Sequence, residues 1–181
     1  MNAPKLQIGY TLTELMIVVT ILGLIAAIAV PAFSSGSDKQ LQLAAEEFAA
    51  AIRFARMESI RTGQPHGYVF NGTNKRIRVF RADTSVNPWD AVFDVYHPID
   101  KRLYDIDLDN HTVASADSLS GSATFNGTCN NAAVIYFDAN GSPWCGIPDN
   151  VLLTSGQIVF ASGQNQLTLS LDGITGRVTV R

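Results

Sequence analysis

Gly9-Tyr10-Thr11-Leu12-Thr13-Glu14-Leu15-Met16 opens an apolar run that reaches Pro31, and the rest of the chain is organised around it. Between Tyr10 and Val30 the only charged residue is Glu14. As a helix rising ~1.5 Å per residue, Tyr10–Val30 would extend ~32 Å, comparable to the hydrocarbon thickness of a bilayer. An ordinary anchor has no use for a carboxylate near its start, where an ionisable group costs roughly a few kcal/mol. A secretory signal would have a more basic start and a small-residue cleavage site after its apolar core. Here the small residue, Gly9, precedes the core. Cleavage there would discard Met1–Gly9 and leave the whole apolar segment on the mature chain.

The arrangement resembles the class III leader of type IV pilins and type II secretion pseudopilins. In those families a prepilin peptidase cuts after a Gly, the new N-terminus is methylated, and a Glu stands fifth in the mature chain. Counted from Tyr10, Glu14 is fifth and Pro31 is twenty-second, where these families often carry proline. Tyr10 stands in place of the usual Phe, and Thr13 in place of an aliphatic residue; both suit a helix. The resemblance implies a single-pass inner-membrane subunit with its C-terminal domain in the periplasm, later drawn into a helical filament. It also implies two kinds of partner, prepilin peptidase and other major and minor pilins or pseudopilins. Glu14 would meet the methylated amine of a neighbouring subunit, because in a low-dielectric core an unpaired carboxylate is costly and a paired one selects its partner. The plainer alternative is a carboxylate that snorkels to the membrane interface.

Composition suits one modest domain plus the anchor: 181 residues, 46% hydrophobic and 16% charged, with net charge −3. Loss of Met1–Gly9 removes Lys5 and no acid, leaving 12 basic against 16 acidic residues, or −4. A mildly acidic chain is a poor generic nucleic-acid binder. Lys5 is the single basic side chain before the apolar run, so orientation by the positive-inside rule rests on it and the amino terminus. Cys129 and Cys145 fall in the exported part, where an oxidising compartment favours a bridge, although spacing alone does not establish pairing.

The expected organisation is a leader over 1–9, a transmembrane and filament-core helix over 10–31, an amphipathic half of the same helix over 32–63, and an antiparallel β domain over 64–181. Ser34-Ser35-Gly36-Ser37-Asp38 reads as a break or fresh N-cap in an unrelated protein, and as a bend within one long helix in a pilin-like subunit. Leu41, Ala45, Phe48, Ile52 and Ala55 recur at helical steps and define a core-facing stripe. Thr62-Gly63-Gln64-Pro65 supplies the stop.

Strands follow. Gly67–Phe70 and Arg76–Arg81 flank an Asn71-Gly72 turn, which predicts a hairpin with a partly wet, basic outer face. Thr84–Pro98 and Ala114–Gly121 read as loops, and Tyr104-Asp105-Ile106-Asp107-Leu108 as a half-buried strand. Ala132–Phe137 leads into an Asp138-Ala139-Asn140-Gly141 turn. Gln157–Ala161, Gln166–Leu171 and Arg177–Arg181 give three more strands, the last two paired. Helix first and strands afterwards predicts an α+β fold with a long N-terminal helix on antiparallel sheet, pilin-like.

Three later stretches resemble minor subunits of the GspH/FimT type. Phe54-Ala55-Arg56-Met57-Glu58-Ser59-Ile60-Arg61 is similar to the end of their long helix, Phe137–Gly141 to their Phe-x-x-x-Gly turn, and Gly176-Arg177-Val178-Thr179-Val180 to their closing strand. The implied function is structural and non-enzymatic: a minor pilin or pseudopilin that primes or caps a type IV pilus or a type II secretion pseudopilus, with no cofactor. The cysteine pair leans toward a type IV pilus, where bridged pilins are common. An alternative is DNA binding for natural transformation, since some FimT-like proteins use a C-terminal Gly-Arg-x-Arg. Here the second arginine is displaced, but Arg177 and Arg181 would still share a strand face and could contact phosphate. A membrane-anchored periplasmic enzyme is the remaining alternative, and no nucleophile elbow, phosphate loop or paired-His zinc motif supports it.

No metal site is expected. Asp105, Asp107 and Asp109 approximate a calcium loop, but Asn110 and Ala116 stand where it needs Gly and a bidentate acid. His66, His97 and His111 are scattered, and two cysteines alone cannot close a zinc site. Asn71, Asn110 and Asn126 head glycosylation sequons that matter only where a glycosylation system exists.

Overall fold

The computed structural model describes residues 10–86, 89–146 and 151–181, with the side chains of residues 26–35 outside that description. Gly9 and the side chain of Pro31, two of the residues that mark the leader pattern, therefore lie outside the described residues. One helix, α1, spans Leu12–Thr62, and Ser34–Asp38 lies inside it without a break. It ends as the breakers predict: Gly63 takes φ +69° and donates its N–H to the Ser59 carbonyl at 2.9 Å.

Two compact units are distinguished, Met1–Gly36 and Ser37–Arg181. In the first, Leu15, Met16, Ile17, Val18 and Val19 are consecutive and all exposed, so more than one full turn is apolar on every side. Among the described residues no helix is long and apolar enough to cross a membrane. The expected transmembrane character of the first half of α1 is therefore not supported among the described residues.

The second unit is α+β. Two antiparallel sheets are present. The first runs β3 (Asp90–Val92), β2 (Arg76–Asp83), β1 (His66–Asn71), β6 (Val134–Phe137), β7 (Pro143–Cys145), with β4 (Asp105–Asp107) also on β2. The second runs β10 (Val178–Val180), β9 (Asn165–Asp172), β8 (Leu153–Ser162), β5 (Ser118–Phe125). The β1–β2 and β9–β10 hairpins stand as expected.

The helical stripe is the floor of the core: Leu41, Ala45, Phe48, Ile52 and Ala55 are all buried. Ala44, Ala49 and Ala51 are buried beside them. Phe48 bridges the layers, edge-on to Phe70 of β1 at 6.5 Å and to Phe160 of β8 at 5.2 Å.

Two expectations need correction, and one strand was not anticipated. Thr84–Pro98 contributes β3, and it brings Trp89 and Phe93 over Phe80, Ala82 and Tyr136 as a second small core. The basic face of β2 is partly wet, as expected: Arg76 and Arg78 are half-buried, as is Arg81, with Arg78 stacked on the Phe93 ring at 4.1 Å. Ala114–Gly121 is not all loop, because β5 begins at Ser118 and is ordered by eight residues of register with β8. Pro143–Cys145 forms β7, too short to announce itself by periodicity.

Candidate functional site

The N-terminus of α1 is built by two side chains. Thr11 precedes the first helical residue, and its Oγ1 accepts the Glu14 backbone N–H at 3.3 Å. Glu14 Oε2 accepts in return from the Thr11 N–H and the Thr11 hydroxyl, both at 3.0 Å. This is a reciprocal capping box, which satisfies helix donors that would otherwise be orphaned. Its signal, Thr-x-x-Glu, is plain in the sequence and is missed when Glu14 is read for assembly alone. The box folds the carboxylate back over the first turn, toward the N-terminal end, where the helix dipole favours negative charge. An amine arriving at that end would offer the same oxygen a charged donor in place of a neutral one. Tyr10 is exposed just before the box.

A second construction joins the three later stretches. Arg56 Nε on α1 donates to the Gly141 carbonyl at 3.1 Å. Gly141 and Gly176 each close a tight turn at positive φ, +80° and +63°. A Cβ at Gly176 would sit 2.6 Å from the Gly141 oxygen and 2.8 Å from Arg56 Nε; one at Gly141 would sit 2.7 Å from Ile60 Cδ1. The neighbouring Ser59 is buried, its hydroxyl donating to the Arg56 carbonyl at 2.7 Å. Helix end, internal turn and closing turn thus converge on one guanidinium, a convergence that spacing in the sequence cannot reveal.

The remaining candidates are dispersed. Cys129 and Cys145 are joined in the structure, with Cα atoms 5.9 Å apart. Arg177 and Arg181 are exposed and border one shallow polar depression of about 510 Å³, together with Ser170, Asp172 and Thr179. Asp172 is committed to its own turn, accepting from the Thr175 N–H and hydroxyl at 2.7 Å each, and these bonds hold its carboxyl below the ordinary range.

Asp105 and Asp109 are paired with Arg76 and Lys75. The Asn110 side chain, then the Asp109 N–H, hold the Asp107 carboxyl low. His66 is buried against the Gln64 carbonyl, His97 faces Asp100 and His111 faces Glu47, each at its own place. Among the described residues no three His, Cys, Asp or Glu side chains are arranged to hold a metal ion.

Comparison with known proteins places the chain in two steps. Residues 4–30 match the model for the prokaryotic N-terminal methylation motif. Residues 44–175, most of the chain, match the model for type II transport protein GspH, and the chain belongs to that family. Two solved structures of the minor pseudopilin EpsH from the type II secretion system of Vibrio cholerae are similar at 14% and 15% identity, each with TM-score 0.49. They cover 78% and 80% of this chain and 96% and 94% of their own. Among curated proteins none matches.

Proposed function

We propose that this chain is a minor pseudopilin that primes or caps a filament, a structural subunit and not an enzyme. Prepilin peptidase removes Met1–Gly9, Tyr10 becomes the methylated N-terminus, and the apolar half of α1 waits as a single inner-membrane span before entering the filament core. The single observation that carries this is the helix behind the Thr11–Glu14 box, exposed and apolar on all sides from Leu15 to Val19. A helix of that kind needs a cover, whether lipid or other helices. The family description names type II transport, whereas the cysteine pair leans toward a type IV pilus; the match over residues 44–175 weighs more.

A photo-crosslinking residue at Val18 in the full chain tests the proposal. Light-dependent adducts with other filament subunits are expected, and adducts with lipid alone under conditions of active assembly would contradict it.

DNA binding has one observation in its favour, the placement of Arg177 and Arg181 around one depression. The acidic balance of the chain stands against it. A DNA shift assay on the full chain in detergent, compared with Arg177→Ala, separates the two readings.

A further inference from the structure

Three Asn-Gly pairs occur in the chain, Asn71-Gly72, Asn126-Gly127 and Asn140-Gly141. Because glycine has no side chain, its backbone nitrogen is unshielded, so each pair holds the atoms for ring closure onto the asparagine carboxamide. The fold treats the three differently. Asn71 Oδ1 accepts the Asn74 N–H at 3.0 Å, and Gly72 is boxed in, since a Cβ there would lie 2.8 Å from the Leu119 carbonyl oxygen. Gly141 is buried; its N–H donates to the Asp138 carbonyl at 2.9 Å and its own carbonyl accepts from Arg56 Nε at 3.1 Å. Ring closure at either pair has to wait for a local opening that breaks these contacts.

Asn126-Gly127 carries neither restraint. Both residues are exposed and follow Phe125, the last residue of β5. Asn126 is held through its backbone, donating its N–H to the Leu152 carbonyl at 3.0 Å. Among the described residues its carboxamide makes no hydrogen bond, and neither does the Gly127 N–H. Gly127 takes φ +150°, which side-chain-bearing residues rarely adopt, and a Cβ there would lie 3.1 Å from Val151 Cγ1. The electrophilic carboxamide carbon and the nucleophilic nitrogen are thus adjacent, uncommitted and open to water.

We propose that Asn126-Gly127 is a site of spontaneous self-modification, at which Asn126 is deamidated through a cyclic imide. Solvent base takes the Gly127 N–H proton, and the nitrogen attacks Asn126 Cγ. The bond from Cγ to Nδ2 then breaks, and ammonia leaves with a proton from water. A water molecule adds at one of the two imide carbonyls and opens the ring to aspartate or isoaspartate. The net change is one water consumed and one ammonia released, and solvent supplies every reagent. Each event adds one negative charge to a chain of net charge −3. It also removes the carboxamide that the Asn126-Gly127-Thr128 glycosylation sequon requires.

The test incubates the full chain in detergent at pH 8 and follows the three pairs by fragment-ion mass spectrometry. Asn126 should convert from amide to acid at least ~tenfold faster than Asn71 or Asn140, whose contacts must open first. Isoaspartate, detected by enzymatic methylation, should accompany aspartate at position 126, because direct hydrolysis of a carboxamide gives aspartate alone. A parallel sample, reduced and unfolded in guanidinium chloride, should convert all three pairs at similar rates, which assigns the difference to the fold. Gly127→Ala should slow the folded reaction by ~tenfold or more, since a methyl group beside the nitrogen hinders its approach. Conversion of Asn71 or Asn140 as fast as Asn126 in the folded chain would overturn the proposal. So would an Asn126 that stays intact while the unfolded sample converts, or conversion without isoaspartate.

Discussion

Arg56 Nε donates to the carbonyl of Gly141 across 3.1 Å, tying the last turns of α1 to the turn after β6. The bond is part-buried and its donor is charged, so its loss should be felt. Arg56→Ala is expected to cost about 1–2 kcal/mol in urea unfolding of the full chain. Arg56→Lys should fall nearer to alanine than to wild type, because an ammonium cannot reproduce a side-on Nε donor. Wild-type stability in the lysine variant would show that charge, not geometry, holds the turn.

Gly176 and Gly163 separate backbone strain from crowding. Their φ angles are nearly equal, +63° and +58°, yet a Cβ at Gly163 meets nothing within 4 Å while one at Gly176 strikes the Gly141 oxygen. Gly163→Ala should cost only the strain, roughly 1 kcal/mol. Gly176→Ala should cost ~1–3 kcal/mol more, since neither the turn nor the guanidinium can move aside cheaply. Urea midpoints for the two variants measured side by side check this, and equal losses would refute the contact.

Acid sensitivity has an identifiable contributor in Asp172. Its bonds with Thr175 and then Ile174 hold the folded carboxyl below its ordinary 3.8. A depressed carboxylate contributes stability that is present above the unfolded value and lost as pH falls through the folded one. Asp172→Ala should therefore be less stable than wild type at pH 7, with the gap narrowing toward pH 2. Urea midpoints at both pH values give the comparison; a gap of constant size would mean that the turn does not depend on ionisation.

Glu14 serves the helix cap in the single subunit, and in the assembly proposal it serves a neighbour. Glu14→Gln keeps an acceptor oxygen for the Thr11 N–H while removing the charge. The variant should be cleaved and inserted normally but enter filaments ~tenfold less, because a neutral amide does not select a cationic partner. Quantitative blotting of membrane and filament fractions measures this. Equal incorporation would leave Glu14 with its capping role alone.

Legibility in the sequence followed the range of the interactions. The stripe from Leu41 to Ala55, the Asn71-Gly72 hairpin, the Gly63 stop and the terminal hairpin are set by local periodicity and turn chemistry, and each stands where the pattern puts it. β5 was illegible because serine, glycine and alanine carry no strand preference; its order comes from pairing with β8, more than thirty residues along the chain. The second sheet depends on that pairing. The Arg56, Gly141 and Gly176 convergence was hidden for a similar reason, since three separate elements must meet before the carbonyl has its donor. The capping box, by contrast, was visible as Thr11-x-x-Glu14 and was obscured by the more specific use assigned to Glu14.

The intact mass and N-terminal sequence of the protein recovered from membranes, with and without an active prepilin peptidase, test the filament-subunit account most directly. A chain that begins at methylated Tyr10 only when the peptidase is active is the predicted result. A chain that begins at Met1 in both cases would contradict it, leaving Glu14 without its partner amine and the protein an ordinary anchored domain.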